Sequence, residues 1–494
     1  MDRVLPPPSI AWVAVAASLG FAVVSLDVTI VNIALPRLAE ALGSTVPGLQ
    51  WVVDAYTLAF AVLLLSAGVL SDRLGARRTY LLGFILFALA SMACGAAQSA
   101  GQLIAARAVQ GIGAALLVPP SLALLNHACA HEPALRARMI GLWHMAGGVA
   151  IAAGPVLGGL LLDRFGWRGI FLVNLPLCAL GIGMTLRLHE TPRKPQRQLD
   201  LLGQSLAAAA LFGLIGALIE LGALGWMQPL VLGGFALAVA ATLGFVRVES
   251  HVAQPMLPLR FFALRGFTPA VLIGMAISLA YYGAIFMLSL YLQHVRHYAV
   301  AQAGLAYLPL TATWIVSNLL SGWTIGRYGA RWPALIGTAL SAGGFVLLAR
   351  LDAHSAYTDM LLPFLLIPGG MGLTTPALTT IVLASVETAW SGTATAVLNA
   401  ARQAGGAIGV ALCGALVAGG DTRIVPGMRL AAWLCASLLL AACAVAARHV
   451  GRKMAASGRN ASRSGDAPVP ATSAIDSAST ASPSPDRAGS PGTP

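Results

Sequence analysis

Gly68-Val-Leu-Ser-Asp72-Arg73-Leu-Gly75-Ala-Arg77 returns, without a gap, as Gly322-Trp-Thr-Ile-Gly326-Arg327-Tyr-Gly329-Ala-Arg331. Each copy closes one long apolar run and opens another. A stretch that recurs half a chain away predicts two related halves, an arrangement common in internally repeated membrane folds. The acid is not repeated, because Gly326 stands where Asp72 would.

Working outward from the two copies, apolar spans are read at about 10–36, 48–71, 78–98, 101–126, 137–162, 167–187, 201–223, 228–246, 266–293, 302–326, 332–350, 356–384, 393–418 and 428–447. About 20 apolar residues cross a hydrocarbon core roughly 30 Å thick. The reading is therefore an all-α membrane protein with fourteen spans. The first copy follows span 2 and the second follows span 10. Two six-helix bundles give this offset if spans 7 and 8 are additions between them. The expected bounds are 1–199 for the first bundle, 200–250 for the extra helices and 251–454 for the second bundle. From about Ala455 the chain turns to Ser, Ala, Pro, Gly and Thr, so 455–494 is expected to be a disordered cytoplasmic tail.

Composition agrees with lipid as the solvent. Hydrophobic residues make up 57% of the chain and charged residues 10%, against about 25% charged in a soluble domain. The net charge of +12 does not imply nucleic acid, since the basic residues sit in short gaps between apolar runs rather than in a stripe with aromatics. With the N-terminus inside and the distal tail left out, Lys and Arg divide 18 to 7 between the two sides. The basic side is cytoplasmic by the positive-inside rule, which puts both termini there. The six cysteines form no CxxC pair and read as small buried side chains. The first apolar run is too long for the core of a signal peptide and carries Asp27, so it reads as the first span. There is no HExxH, no Walker-type loop and no cluster of His, which argues against a membrane enzyme and against ATP drive. No catalytic residue, metal site or cofactor is expected.

A few residues break the apolar pattern. Asp27 lies inside span 1, where a charge costs about 2.5–3.5 kcal/mol on insertion scales. A carboxyl that can be charged or neutral is what proton coupling needs, although an acid bonded for packing would look the same. Arg107 lies deep in span 4 with Gln110 on the same face. It cannot shed its proton and needs an acceptor. Asp27 is the leading candidate, as the mid-span acid of the first bundle. Asp54 falls in the first turns of span 2, a position that also suits a helix N-terminus. In span 5, Gly154 and Gly158 form a small-xxx-small pair, Pro155 breaks the hydrogen-bond ladder and Gly159 follows. Gly405 and Gly409 repeat the spacing in span 13, beside Arg402 and Gln403. His144 titrates but reads most simply as hydrogen-bonded. Trp143, Trp314, Tyr281, Tyr282, Phe286 and Met287 are candidates to line a greasy pocket or an interface.

Several of these stretches resemble a known family. GVLSDRLGARR at 68–78 resembles the loop signature between helices 2 and 3 of the major facilitator superfamily. ARAVQGIGAA at 106–115, with Gln110 and Gly111, resembles its helix 4 signature, and AGPVLGG at 153–159 the helix 5 signature of its antiporters. SLDVTIVNIALP at 25–36 resembles the first-helix signature of the fourteen-span drug:proton antiporter branch (EmrB/QacA-like). WVVDAYTL at 51–58, WRGIFLVNLP at 167–176 and LNAARQAGGAIG at 398–409, with Asn399, Arg402 and Gln403, also fit that branch. The resemblance covers about residues 10–450. It implies proton-driven efflux of drugs or other small, largely apolar compounds by a functional monomer in a bacterial inner membrane. Coupling would fall to Asp27, Arg107 and Asp54. Gating would fall to Gly68, Asp72, Arg73, Gly75 and Arg77, read as a latch between the bundles, and to Gly154, Pro155, Gly158 and Gly159. Export of one metabolite, siderophore or antibiotic fits the same motifs, and a non-transporting sensor is a remote alternative. A periplasmic adaptor cannot be read from the sequence.

Overall fold

The first helix, α1 (Ile10–Leu42), starts where the Ser9 side chain accepts from the Trp12 N–H, a capping bond that satisfies one of the orphan donors of a helix start. It ends at Gly43 in the left-handed region (φ 59°). The chain then runs through α2 (Val46–Leu74), α3 (Ala76–Ala96), α4 (Ala100–Ala115), α5 (Val118–Ala128), α6 (Pro133–Leu172) and α7 (Asn174–Thr185). It continues with α8 (Leu201–Leu224), α9 (Pro229–Glu249), α10 (Phe267–Leu290), α11 (Val300–Ala306), α12 (Leu308–Tyr328), α13 (Arg331–Leu348), α14 (Tyr357–Ser385), α15 (Ser391–Val417) and α16 (Asp421–His449). This computed structural model describes residues 9–130, 132–193, 200–252, 255, 257–387, 390–418 and 420–449. They belong to one unit, Met1–Ala455. The expected tail, 455–494, lies outside the described residues. No strand occurs among the described residues, as expected for segments that must satisfy their own backbone in lipid.

Among the described residues, thirteen helical stretches are long and apolar enough to cross a membrane, where the sequence predicts fourteen. The difference lies in Arg138–Thr185, 48 residues that run through two expected spans. Gly166 (φ 69°, ψ −179°) breaks the helical backbone inside α6. Other expected spans are divided for a visible reason. α4 and α5 part at Leu116 and Leu117, just ahead of Pro119 and Pro120, which donate no backbone hydrogen bond.

α1 packs on α6, α2 on α4, and α3 on α4 and α7. In the second half, α10 packs on α15, α13 on α14 and α16, and α12 on α14. The helices between the halves pack on each other, and α8 also touches both α2 and α15. The halves meet through α2 with α15, α1 with α10, and α6 with α11 and α12. Ser289 Oγ donates to the Asn32 carbonyl (2.5 Å), and Gln50 Nε2 donates to the Ala411 carbonyl (2.7 Å).

The two corners of the repeat have the same build. Gly75 (φ 96°, ψ 144°) ends α2 with its N–H on the Ser71 carbonyl, and Gly329 (φ 79°, ψ 164°) ends α12 with its N–H on the Ile325 carbonyl. Both backbones lie where only glycine is comfortable. Arg77 then donates from Nη2 to the Leu186 carbonyl (2.8 Å) at the end of α7, and Arg331 from Nη2 to the Ala447 carbonyl (2.9 Å) near the end of α16. A cation at a helix C-terminus meets carbonyls that have no partner within the helix.

Candidate functional site

Asp27 sits in α1, fully buried, and its carboxylate accepts from three side chains. Arg107 Nη1 donates to Oδ2 (2.5 Å), while Gln110 Nε2 and Asn174 Nδ2 donate to Oδ1 (2.9 Å each). Arg107 also donates from Nη1 to Gln110 Oε1 (2.7 Å) and from Nε to the Val52 carbonyl (3.1 Å). Its guanidinium carbon lies 4.2 Å from the centre of the Tyr56 ring. Ser91 Oγ accepts from Gln110 Nε2 (2.9 Å). Arg107 is 1% exposed, and Asp27, Gln110, Asn174 and Tyr56 are 0% exposed. Both charges are therefore paired out of water, and the cluster ties α1, α2, α3, α4 and α7 together. Gly111 makes the approach possible, since a Cβ there would run into the Tyr56 carbonyl and lie 3.0 Å from Ala59.

The sequence pairs Arg107 with Asp27, and the structure brings them together. Asn174, Ser91 and Tyr56 were not singled out. Tyr56 and Asn174 both lie inside stretches that carry the resemblance, but as uncharged residues in apolar runs they give little hydropathy signal of their own.

Asp54 differs from its sequence reading. It is the ninth residue of α2, which has no acid in its first turn. The helix dipole fades within that turn, so it does not account for the carboxyl. Asp54 is 0% exposed, and neither oxygen has a hydrogen-bond partner. It lies one turn beyond Gln50, on the face of α2 that meets α15.

A small cavity separates the halves beside this cluster. It is lined by Val28 and Asn32 of α1, Val53 and Thr57 of α2, Tyr282 of α10, and Gln403, Gly406 and Val410 of α15. Asn399 is half-buried on the same helix as Gln403. Arg402 lays its stem along α10, with Cγ 3.3 Å from where a Gly274 Cβ would be. Of the aromatic and Met candidates for a pocket, Tyr282 lines this cavity, whereas Tyr281, Phe286 and Met287 are buried in the hydrophobic core. Trp143 is also buried and donates to Ser121 Oγ (3.0 Å).

The glycines of α6 serve two contacts. A Cβ on Gly154 would lie 3.2 Å from the Ile30 nitrogen, and one on Gly158 would lie 3.1 Å from the Ile30 carbonyl oxygen, so both sit against α1. Gly159 faces α11 of the other half, where a Cβ would be 3.3 Å from Ala301 Cα. Pro155 lies between them inside α6. At the first corner, Gly68 and Asp72 are half-buried and Arg73 is exposed. The hydrogen bonds described for Ala76, Arg77 and Arg78 run to residues of their own half. Ala76 N–H donates to Thr191 Oγ1 and Arg77 N–H to Glu190 Oε1 (2.9 Å each).

With this geometry in place, the chain matches the Major Facilitator Superfamily over residues 17–410. It belongs to the major facilitator superfamily. The methylenomycin A resistance protein of Streptomyces coelicolor is 39% identical over 410 residues, covering 81% of this chain and 84% of that protein. The multidrug resistance protein Stp of Mycobacterium tuberculosis is 36% identical over 427 residues, covering 86% and 76%. The crystal structure of the peptide transporter POT in complex with sulfate shares the fold at a TM-score of 0.68 and 14% identity, over 92% of this chain and 97% of that one. Major facilitator membership makes the chain a multi-pass membrane transporter of small molecules rather than an enzyme.

Proposed function

We propose that this major facilitator is a proton-driven exporter of drugs or other small, largely apolar compounds, working by alternating access. The observation that carries the reading is the Asp27–Arg107 pair, buried and held by side chains of several helices. Protonation of Asp27 removes the counter-ion of Arg107, leaving it with Gln110, the Val52 carbonyl and the Tyr56 face. Val28 and Asn32, on the same helix as Asp27, line the cavity between the halves. A proton and a cargo molecule would thus both act on α1. Asp54, with no partner for either oxygen, is a second protonation site on this reading. One proton moving down 100 mV supplies about 2.3 kcal/mol, roughly a fortyfold gradient at 1.4 kcal/mol per decade.

The rest of the proposal concerns layout. Arg138–Thr185, at 48 residues, has the length of two crossings. This supports fourteen spans and the drug:proton antiporter branch, with bundles at 1–199 and 251–454 around two extra helices. The basic tally supports cytoplasmic termini, in a bacterial inner membrane. The corner at Gly68, Asp72, Arg73, Gly75 and Arg77 and the α6 segment Gly154, Pro155, Gly158 and Gly159 would be the moving joints. The protein would work as a monomer with the proton gradient as its energy source and no cofactor. A narrower reading, export of one antibiotic, is favoured by the relative named for methylenomycin A.

Inverted vesicles carrying the protein test the proposal, with a compound panel and a proton ionophore. Wild-type vesicles should accumulate a subset of the panel and lose it on ionophore addition. Asp27→Asn should abolish the accumulation at normal expression. Undiminished ionophore-sensitive transport in Asp27→Asn would remove Asp27 from the coupling.

A further inference from the structure

The second half carries a charge that the proton reading leaves unused. Arg402 stands in the middle of α15, and its Nε is buried without a hydrogen-bond partner. Among the described residues the ion pairs join Arg37 to Glu40, Arg78 to Glu190 and Arg107 to Asp27. Arg402 is in none of them. Arg107, by contrast, is met by a carboxylate, an amide oxygen and a backbone carbonyl. A guanidinium keeps its charge in a protein, and Arg402, half-buried with its Nε out of water, has no counter-ion among the described residues to offset that partial burial. Asp27 is committed to Arg107, and among the described residues no acid pairs with Arg402.

What surrounds Arg402 indicates what would fit. Its stem packs on α10, with Cγ 3.3 Å from where a Gly274 Cβ would be, and one turn on along α15 a Cβ at Gly406 would lie 2.8 Å from the Tyr282 ring. Tyr282 and the neighbouring Gln403 line the cavity between the halves. The exposed ring of His144 lies 4.8 Å from that of Trp143, which is stacked on Phe21 at 3.9 Å and 11°. One half thus contributes flat aromatic surface and the other a lone cation with an amide beside it.

We propose that Arg402 is the subsite for the anionic group of a transported organic acid with an apolar, ring-bearing body. The carboxylate or sulfonate pairs with the guanidinium, whose planar fork suits bidentate acceptors, and the body lies against Tyr282 and the Phe21–Trp143 stack. This rests on the export reading above and names the substrate class of the same cleft. It does not depend on how protons are coupled.

The test is equilibrium binding to the purified full-length protein in detergent, by calorimetry, of 2-naphthoate and of the uncharged 2-naphthamide. Wild type should bind the acid at least about tenfold tighter, a difference of about 1.4 kcal/mol. Arg402→Gln should bring the two within about twofold while keeping the affinity for the amide, which also reports that the variant is folded. Arg402→Lys should keep part of the preference, and it carries the comparison if the Gln variant does not fold. Equal affinities in wild type, preference for the lipophilic cation tetraphenylphosphonium, no saturable binding of 2-naphthoate, or an undiminished preference in Arg402→Gln would each overturn the proposal. Failure of the export reading would look different, as vesicles that accumulate no compound at all.

Discussion

Arg107 does at one point what several residues could not do separately. A single side chain meets the Asp27 carboxylate, the Gln110 amide oxygen and the Val52 carbonyl while lying over Tyr56. Lysine keeps the charge but has neither the planar fork nor the reach in several directions. Arg107→Lys should therefore fold, because the buried charge is still paired, yet transport at less than about a tenth of the wild-type initial rate in inverted vesicles, in line with the 1.5–3 kcal/mol of a hydrogen bond to a charged group. A full rate in the lysine variant would mean that charge alone suffices. Asp27 and Arg107 were legible in the sequence because a charge inside an apolar run has few structural excuses. Asn174 and Ser91 were not, since neutral polar residues barely disturb hydropathy and nothing in one sequence gives the rotation of one helix against another. For Asp54 only the helix-start alternative falls away, because α2 begins at Val46 and carries no acid in its first turn.

The two glycine corners show how far an element can be read from a repeat. Matching sequence at 68–77 and 322–331 predicts matching turns, and the backbones of Gly75 and Gly329 agree. The repeat could not say where the arginines go, because their acceptors at Leu186 and Ala447 are backbone carbonyls at helix ends, which carry no side-chain signature. Glu190, which receives the Arg77 N–H, likewise lies in a connection without pattern. Gly75→Ala forces a side chain into backbone that costs about 1–3 kcal/mol outside glycine, and its methyl would also meet Glu190. Gly75→Ala should lower the melting temperature in detergent, and Gly329→Ala should lower it too, since Gly329 holds the same kind of positive-φ backbone (φ 79°). Unchanged melting in both variants would show that the corners relax freely.

Across the whole molecule, the two halves touch through α6 and α11, where Gly159 comes close to Ala301. A Cβ at 159 lies 3.3 Å from Ala301 Cα, within disulfide reach. If the halves rock, Gly159→Cys combined with Ala301→Cys should lose transport on oxidation and regain it on reduction, with each single variant insensitive. Transport that survives complete cross-linking would rule out separation at this seam. The span count was nearly legible at this scale, because hydropathy measures apolar length. It divided Arg138–Thr185 in two, and the helical run there is interrupted at Gly166 and again at Val173 between α6 and α7. The lone Arg402 carries an electrical consequence. A cycle that admits one proton and expels one acid anion moves two elementary charges the same way, whereas expelling a neutral compound moves one. Export of acids would then draw on the voltage twice per turnover, so depolarising the membrane would cut the drive on acids twice as steeply as that on neutral compounds, until both run on the pH difference alone.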